Sequence, residues 1–142
     1  MTNYETDHVE WASEQIHLLR NRKFDALDID HLTEELENIM GNERRELYRR
    51  FRVLIAHLLK WQFQPDHRSN SWRSTIRIQR SDIADVLKDS PSLKREVPER
   101  IAKAYPEARE LAADETGLLE TDFPRTCPYS ETEILDKAFW PD

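Results

Sequence analysis

Eight apolar residues, Leu32, Leu36, Met40, Leu47, Phe51, Leu54, Leu58 and Trp61, fall on one arc when each residue is advanced by about 100°. A phase held that long predicts a single helix from about 31 to 64. The phase passes through Gly41 without slipping. Gly41-Asn42 is also a natural C-cap pair, so two helices broken there are the alternative. An interior glycine costs only about 1 kcal/mol, which favours the unbroken helix. From Val53 onwards the arc widens to take in Ile55 and Leu59, as in a helix at the middle of a bundle. Gln64-Pro65-Asp66 ends it.

The other segments keep a helical period too. Val9, Ala12, Ile16 and Leu19 form a stripe flanked by Trp11. Thr6 or Asp7 can cap its start and Asn21 lies near its end, which predicts a helix over about 6–21. Ser71 can cap a third helix with Trp72, Ile76, Ile83, Val86 and Leu87 on one face. Ser90-Pro91 restarts the chain with proline at the first helical position. Leu93, Val97, Ile101, Ala104, Ala108 and Leu111 then keep phase up to Thr116-Gly117, with kinks or a break expected at Pro98 and Pro106. The tail is irregular through Phe123 to Tyr129, and Ser130 with Glu133 forms a capping box for a short last helix. The expectation is one all-α domain over 1–142. It is a compact bundle around one long central helix, with an irregular C-terminal segment and a short last helix.

Composition narrows the chemistry. The only glycines among 142 residues, Gly41 and Gly117, stand alone, so no Gly-rich phosphate loop, dinucleotide fingerprint or nucleophile elbow can be written. Cys127 is the single cysteine, which excludes an internal disulfide and a cysteine zinc cage. The first residues show neither the basic nor the apolar region of a signal peptide. The longest apolar stretch, within Val53 to Leu59, is too short to span a bilayer. A cytoplasmic protein without membrane contact is expected.

No catalytic constellation emerges. The two Glu-x-x-His strings, Glu5 to His8 and Glu14 to His17, lie on one helix. Their histidines are about 180° and about 13 Å apart, so they cannot share a metal within the chain. No metal or cofactor site is expected. His57, between Val53 and Trp61 on the apolar arc, reads as a core histidine bonded to a carbonyl or carboxylate; an enzymatic site there is the third reading. Cys127 has no histidine near it in sequence to activate it. In Glu34-Glu35-Leu36-Glu37 the outer pair shares a face and Glu35 turns away, a pattern that complements a helix dipole.

Charge is segregated. Residues 44–80 carry ten Lys or Arg against two acids, +8, which leaves −15 for the rest of a chain whose net charge is −7. Arg45, Arg49 and Arg52 form one basic stripe and Arg73, Arg77 and Arg80 another, the second beside Trp72 and Ile76. Such stripes can hold phosphates and stack on bases, but a net negative chain is a poor nonspecific nucleic-acid binder. Pairing of the basic centre with acidic flanking helices is the favoured reading. Trp11, Trp61 and Trp72 read as core anchors, and Trp140 as the aromatic most open to another subunit.

Long ungapped strings carry a resemblance. These are Tyr4-Glu5-Thr6-Asp7 with Trp11, Leu32-Thr33-Glu34-Glu35-Leu36-Glu37, and above all Ala56-His57-Leu58-Leu59-Lys60-Trp61-Gln62-Phe63-Gln64-Pro65. Ser71-Trp72-Arg73-Ser74-Thr75-Ile76, Asp89-Ser90-Pro91-Ser92-Leu93 and Cys127-Pro128-Tyr129 follow in order. From Tyr4 to Phe139 the chain resembles the bacterial domain-of-unknown-function family twenty-nine. That resemblance implies a compact helical fold and brings no activity, cofactor or catalytic residue. The functional expectation is a non-enzymatic helical module acting through a protein partner or self-association. The alternative is a nucleic-acid-associated protein using the Arg-rich centre. The candidate interaction surface is Lys60, Arg73, Arg77, Arg80 and Trp140.

Overall fold

In the computed structural model, which describes residues 3–142, the chain is all-α. Helices α1 (His8–Arg20), α2 (Ile29–Phe63), α3 (Asn70–Asp89), α4 (Val97–Thr116) and α5 (Glu131–Leu135) are joined by short 3-10 turns, with no strand among the described residues. The long helix is unbroken. It runs for 35 residues through Gly41, which does not take the left-handed conformation a C-cap would need.

Local chemistry sets the ends. Of the two candidate caps for α1, Asp7 serves, its carboxylate accepting the Glu10 N–H at 3.0 Å. Helix α3 begins earlier than Ser71 suggests: Ser69 Oγ accepts the Trp72 N–H at 3.2 Å, and Ser71 already lies inside the first turn. Pro91 opens a 3-10 turn, Pro91–Glu96, rather than the α-helix itself. Pro98 sits in the first turn of α4, where its missing N–H leaves no bond unmade. Pro106 lies on the exposed side of α4, and the helix continues past it. Gly117 closes α4 with φ 78°, and the Ser130–Glu133 capping box starts α5 as read from the sequence.

The chain clusters into two compact units, residues 1–42 and 43–142, and α2 contributes to both. In the second unit the pairs Arg50–Asp82 and Lys60–Trp72 run in opposite chain directions, so α3 is antiparallel to α2. Arg52–Glu107 and Lys60–Glu115 run in the same direction, so α4 is parallel to it. Leu47, Phe51, Leu54, Ile55, Leu58 and Leu59 are fully enclosed with Ile76, Ile83, Ala104, Ala108 and Ile134. Burying each large side chain contributes about 1.5–3 kcal/mol. The widened apolar arc after Val53 is therefore the centre of this core.

The irregular tail folds back onto the second unit. Tyr129 donates its hydroxyl to Gln62 Oε1 at 2.8 Å, and Tyr105 donates to the Pro124 carbonyl. Burial pushes the Tyr105 phenol up to about 12 and holds Tyr129 well above the ordinary range. No described helix is long and apolar enough to cross a membrane.

Candidate functional site

The basic centre is largely consumed inside its own unit. Arg44 pairs with Glu96 at 2.9 Å, Arg50 with Asp82 at 2.8 Å and Arg52 with Glu107 at 3.0 Å. Lys60 is buried, 3.2 Å from Glu115, with its ammonium 4.8 Å over the Trp72 ring. Arg80 is buried as well. Its guanidinium donates to the carbonyls of Ile134 and Phe139, both at 2.8 Å, and of Glu133 at 3.1 Å. It thereby ties α3 to the last turn of α5. Trp140 is half-buried against Trp61, ring centroids 4.8 Å apart.

Of the five residues expected at an interaction surface, Arg73 and Arg77 remain exposed. Each lies over an indole, Arg73 at 5.7 Å from Trp61 and Arg77 at 5.9 Å from Trp140. The structure thus separates a stripe that the helical period joins. Arg80 turns inward, where Glu133, Ile134 and Phe139 supply three carbonyls within its reach.

His57 bonds the Val53 carbonyl through Nδ1 at 2.8 Å, the backbone pairing expected of a core histidine. Burial lowers its pKa, so the imidazole is held neutral. The half-buried Cys127 thiol lies 3.6 Å from the Tyr129 carbonyl, and burial pushes its pKa up, away from a reactive thiolate. Among the described residues, no group of three or more His, Cys, Asp or Glu is placed to hold a metal ion.

The first unit is organised differently. Tyr4 donates its hydroxyl to Glu35, and His8 Nε2 meets the same carboxylate oxygen at 2.9 Å. Asp28 accepts the Trp11 indole N–H at 2.9 Å and pairs with His31 Nδ1 at 2.7 Å. Gln15 Oε1 accepts the Asp28 N–H at 2.8 Å. Tyr4 stacks on His31 with centroids 4.0 Å apart and meets Trp11 edge-on at 4.8 Å.

These contacts clasp α1 to the start of α2 in antiparallel fashion. Hydrogen bonds from Tyr4 and His8 lower the Glu35 pKa, and the bond from His31 lowers that of Asp28. In return Asp28 raises the His31 pKa, and the bond to Glu35 pushes Tyr4 up to about 12. The groups are locked in complementary charge states. The Tyr4 hydroxyl, whose ring stacks on His31, is committed to Glu35.

Because this polar clasp occupies the packed faces, the apolar stripes of the unit are turned outward. Trp11 and Gln15 are the buried residues of α1, whereas Val9 is 80% exposed and Ile16 and Leu19 about half exposed. On α2, Ile29, Leu36, Ile39 and Met40 are exposed, although Leu36 and Met40 share the arc that buries Leu47 and Phe51 further on. Phe24, in the connecting turn, is exposed too. Sequence reasoning found Val9, Ile16 and Leu36 as stripe members, but a stripe alone does not say what covers it.

Charge follows the same division. Residues 1–42 hold three bases and ten acids, net −7, so residues 43–142 hold 18 of each and are neutral. Over residues 3–140 the chain matches the family described as Domain of unknown function DUF29. The chain belongs to the DUF29 family. No curated protein and no solved structure matches it. The DUF29 match takes in both the clasp of the first unit and the Arg80-anchored tail of the second.

Proposed function

We propose that the chain is a non-enzymatic helical interaction module that docks a protein partner through its first compact unit. One observation carries this reading. Among the described residues, eight of the ten large apolar side chains left exposed lie between Val9 and Met40. Soluble chains rarely leave apolar side chains clustered in the open unless another surface covers them. The polar clasp supports the same reading, since it gives α1 and α2 a fixed arrangement without using their apolar stripes.

The test is a native pull-down with the full chain, with and without nuclease, beside a Leu36→Asp/Ile39→Asp variant. A partner retained after nuclease and lost with the variant is the expected result. A chain that stays monomeric and recovers nothing contradicts it. A nucleic-acid role would rest on Arg73 and Arg77, which stay exposed beside indole rings. Recovery abolished by nuclease and by Arg77→Glu would select that role instead.

A further inference from the structure

Resting on the docking reading, we infer that the partner of the first unit is a second copy of this chain, the two α1–α2 hairpins stacking face to face and antiparallel. The packed face of α2 is marked by His31 and Glu35, and that of α1 by His8, Trp11 and Gln15. At about 100° per residue, Leu36, Ile29 and Met40 lie about 120–160° around α2 from its packed face. Ile39 and the half-buried Leu32 lie nearer the seam in the same sense. On α1, Val9 and Ile16 lie about 110–130° around in that sense, with Ala12 and Leu19 nearer the seam. The helices run antiparallel, so offsets of one sign fall on one side of the hairpin.

The acids have offsets of the opposite sign. Asp30, Glu34 and Glu37 lie about 80–140° the other way around α2, and Glu10 and Glu14 about 90–130° the other way around α1. Glu35 is held in the seam by Tyr4 and His8. The hairpin therefore has an acidic side and an apolar side. The apolar side is edged by Ser13, Thr33 and Arg20, all exposed.

This division selects a second copy. One cation, Arg20, is too little to hold phosphates or lipid headgroups, and the face has no carboxylate to attract a basic helix. Another uncharged apolar face matches it, and the acids of both copies then point away from the contact. Among the described residues of the unit, Tyr4, Trp11 and Gln15 are the buried side chains, so the hairpin is a single layer that encloses almost no core. An identical hairpin supplies the second layer and closes a four-helix arrangement. Size agrees as well. The seven exposed members of the rows range from 46% at Leu19 to 80% at Val9. At about 100 Å² apiece, the two faces bury about 1,400 Å² together, within the range of about 1,200–2,000 Å² for a specific dimer.

Charge sets the direction. The three bases of residues 1–42, Arg20, Arg22 and Lys23, stand at the closed end of the hairpin, where they offset Asp25 and Asp30. Glu10, Glu34 and Glu37 lie towards the open end, which has no base. A two-fold axis across the helices sets the closed end of each copy beside the open end of the other. A parallel stack would oppose the two acidic ends.

The experiment is sedimentation equilibrium of the full chain from about 1 to about 200 μM, because the population of a dimer follows concentration. The native chain should pass from monomer to dimer. Leu36→Asp/Ile39→Asp and Val9→Asp/Ile16→Asp should each weaken the dimer at least about tenfold, by placing unpaired charge in the contact. Asp30→Lys/Glu34→Lys, on the far side, should leave the dissociation constant within about twofold at about 0.15 M salt. Arg20→Glu/Lys23→Glu should weaken the dimer about tenfold, and added salt should narrow the gap. All these substitutions fall on exposed side chains, and circular dichroism checks that each variant remains helical.

A chain still monomeric at about 200 μM, whose pull-down partner is nonetheless lost with Leu36→Asp/Ile39→Asp, overturns the second copy and leaves the docking reading standing. A dimer indifferent to both apolar variants also overturns the second copy at this face. A pull-down indifferent to them as well overturns both readings. A dimer indifferent to Arg20→Glu/Lys23→Glu overturns the antiparallel direction.

Discussion

Replacing Arg80 by methionine tests whether the basic centre is built into the fold. The arginine is 3% exposed and donates three hydrogen bonds, at 2.8, 2.8 and 3.1 Å, to carbonyls of α5 and the tail. A hydrogen bond to a charged group contributes about 1.5–3 kcal/mol, so the three together are worth about 4–9 kcal/mol gross. Methionine fills much of the same space and needs no desolvation of a cation. This returns part of the loss and leaves a net destabilisation of about 3–5 kcal/mol. The loss is directional, because Glu133 and Ile134 belong to the short helix α5 and Phe139 to the segment after it. Those residues should detach first, carrying Trp140 off Trp61. Urea unfolding followed by tryptophan fluorescence measures the total, and limited proteolysis around residues 130–140 reports the local effect. Arg80→Lys keeps the charge but cannot span three carbonyls, so it should recover less than half of the loss. A destabilisation below about 1 kcal/mol, the range of an exposed charge, would refute the reasoning. So would a tail as protease-resistant as in the native chain.

Other substitutions probe the remaining links. Leu54→Ala opens a cavity in the fully enclosed centre of the second unit and should cost about 3–5 kcal/mol in urea unfolding. Gly41→Ala should raise stability by up to about 1 kcal/mol because α2 is continuous there; a loss would point to a break. Gly117→Ala should cost about 1–2 kcal/mol from its positive φ alone, since no atom lies near the added methyl. In the first unit, the His31 pKa is raised above its ordinary 6.5 by Asp28. The contribution of that pair is therefore complete below 6.5 and disappears as pH rises through the raised folded value. Asp28 and Glu35 have lowered values, so theirs is present above their ordinary 3.8 and 4.5 and disappears as pH falls through the depressed ones. Histidine ring NMR titration should place His31 above 6.5 in the native chain and lower it in Asp28→Asn.

Helix positions were legible because each element carries its own period and punctuation. Leu47, Phe51, Leu54 and Leu58 keep phase inside a real core, Gly117 takes the left-handed stop, and Ser130 with Glu133 makes the expected box. Errors of detail came from competing caps: Ser69 and Ser71 are chemically alike, and only the backbone decides which of them precedes the first turn. The faces of α1 were harder to read. Periodicity marks Val9, Ile16 and Leu19 as one stripe, yet the buried positions are Trp11 and Gln15, anchored through Asp28. Three polar partnerships spaced along the chain outweigh the stripe, and no local pattern reveals them. The charge pattern was half legible. Pairing of the basic centre was foreseen, but its neutrality over residues 43–142, with the whole net charge left on the first unit, depends on where α2 divides between the two units.

The central claim is that the first unit docks its partner through the outward apolar rows. Methyl NMR of the full chain, titrated with the partner retained in the pull-down, tests it most directly. The account predicts shifts of Val9, Ile16, Leu19, Ile29, Leu36, Ile39 and Met40, with the equally exposed Ile78 and Leu119 unmoved. Shifts centred on Ile78, beside Arg77 on α3, or spread evenly over all these methyls, would contradict it.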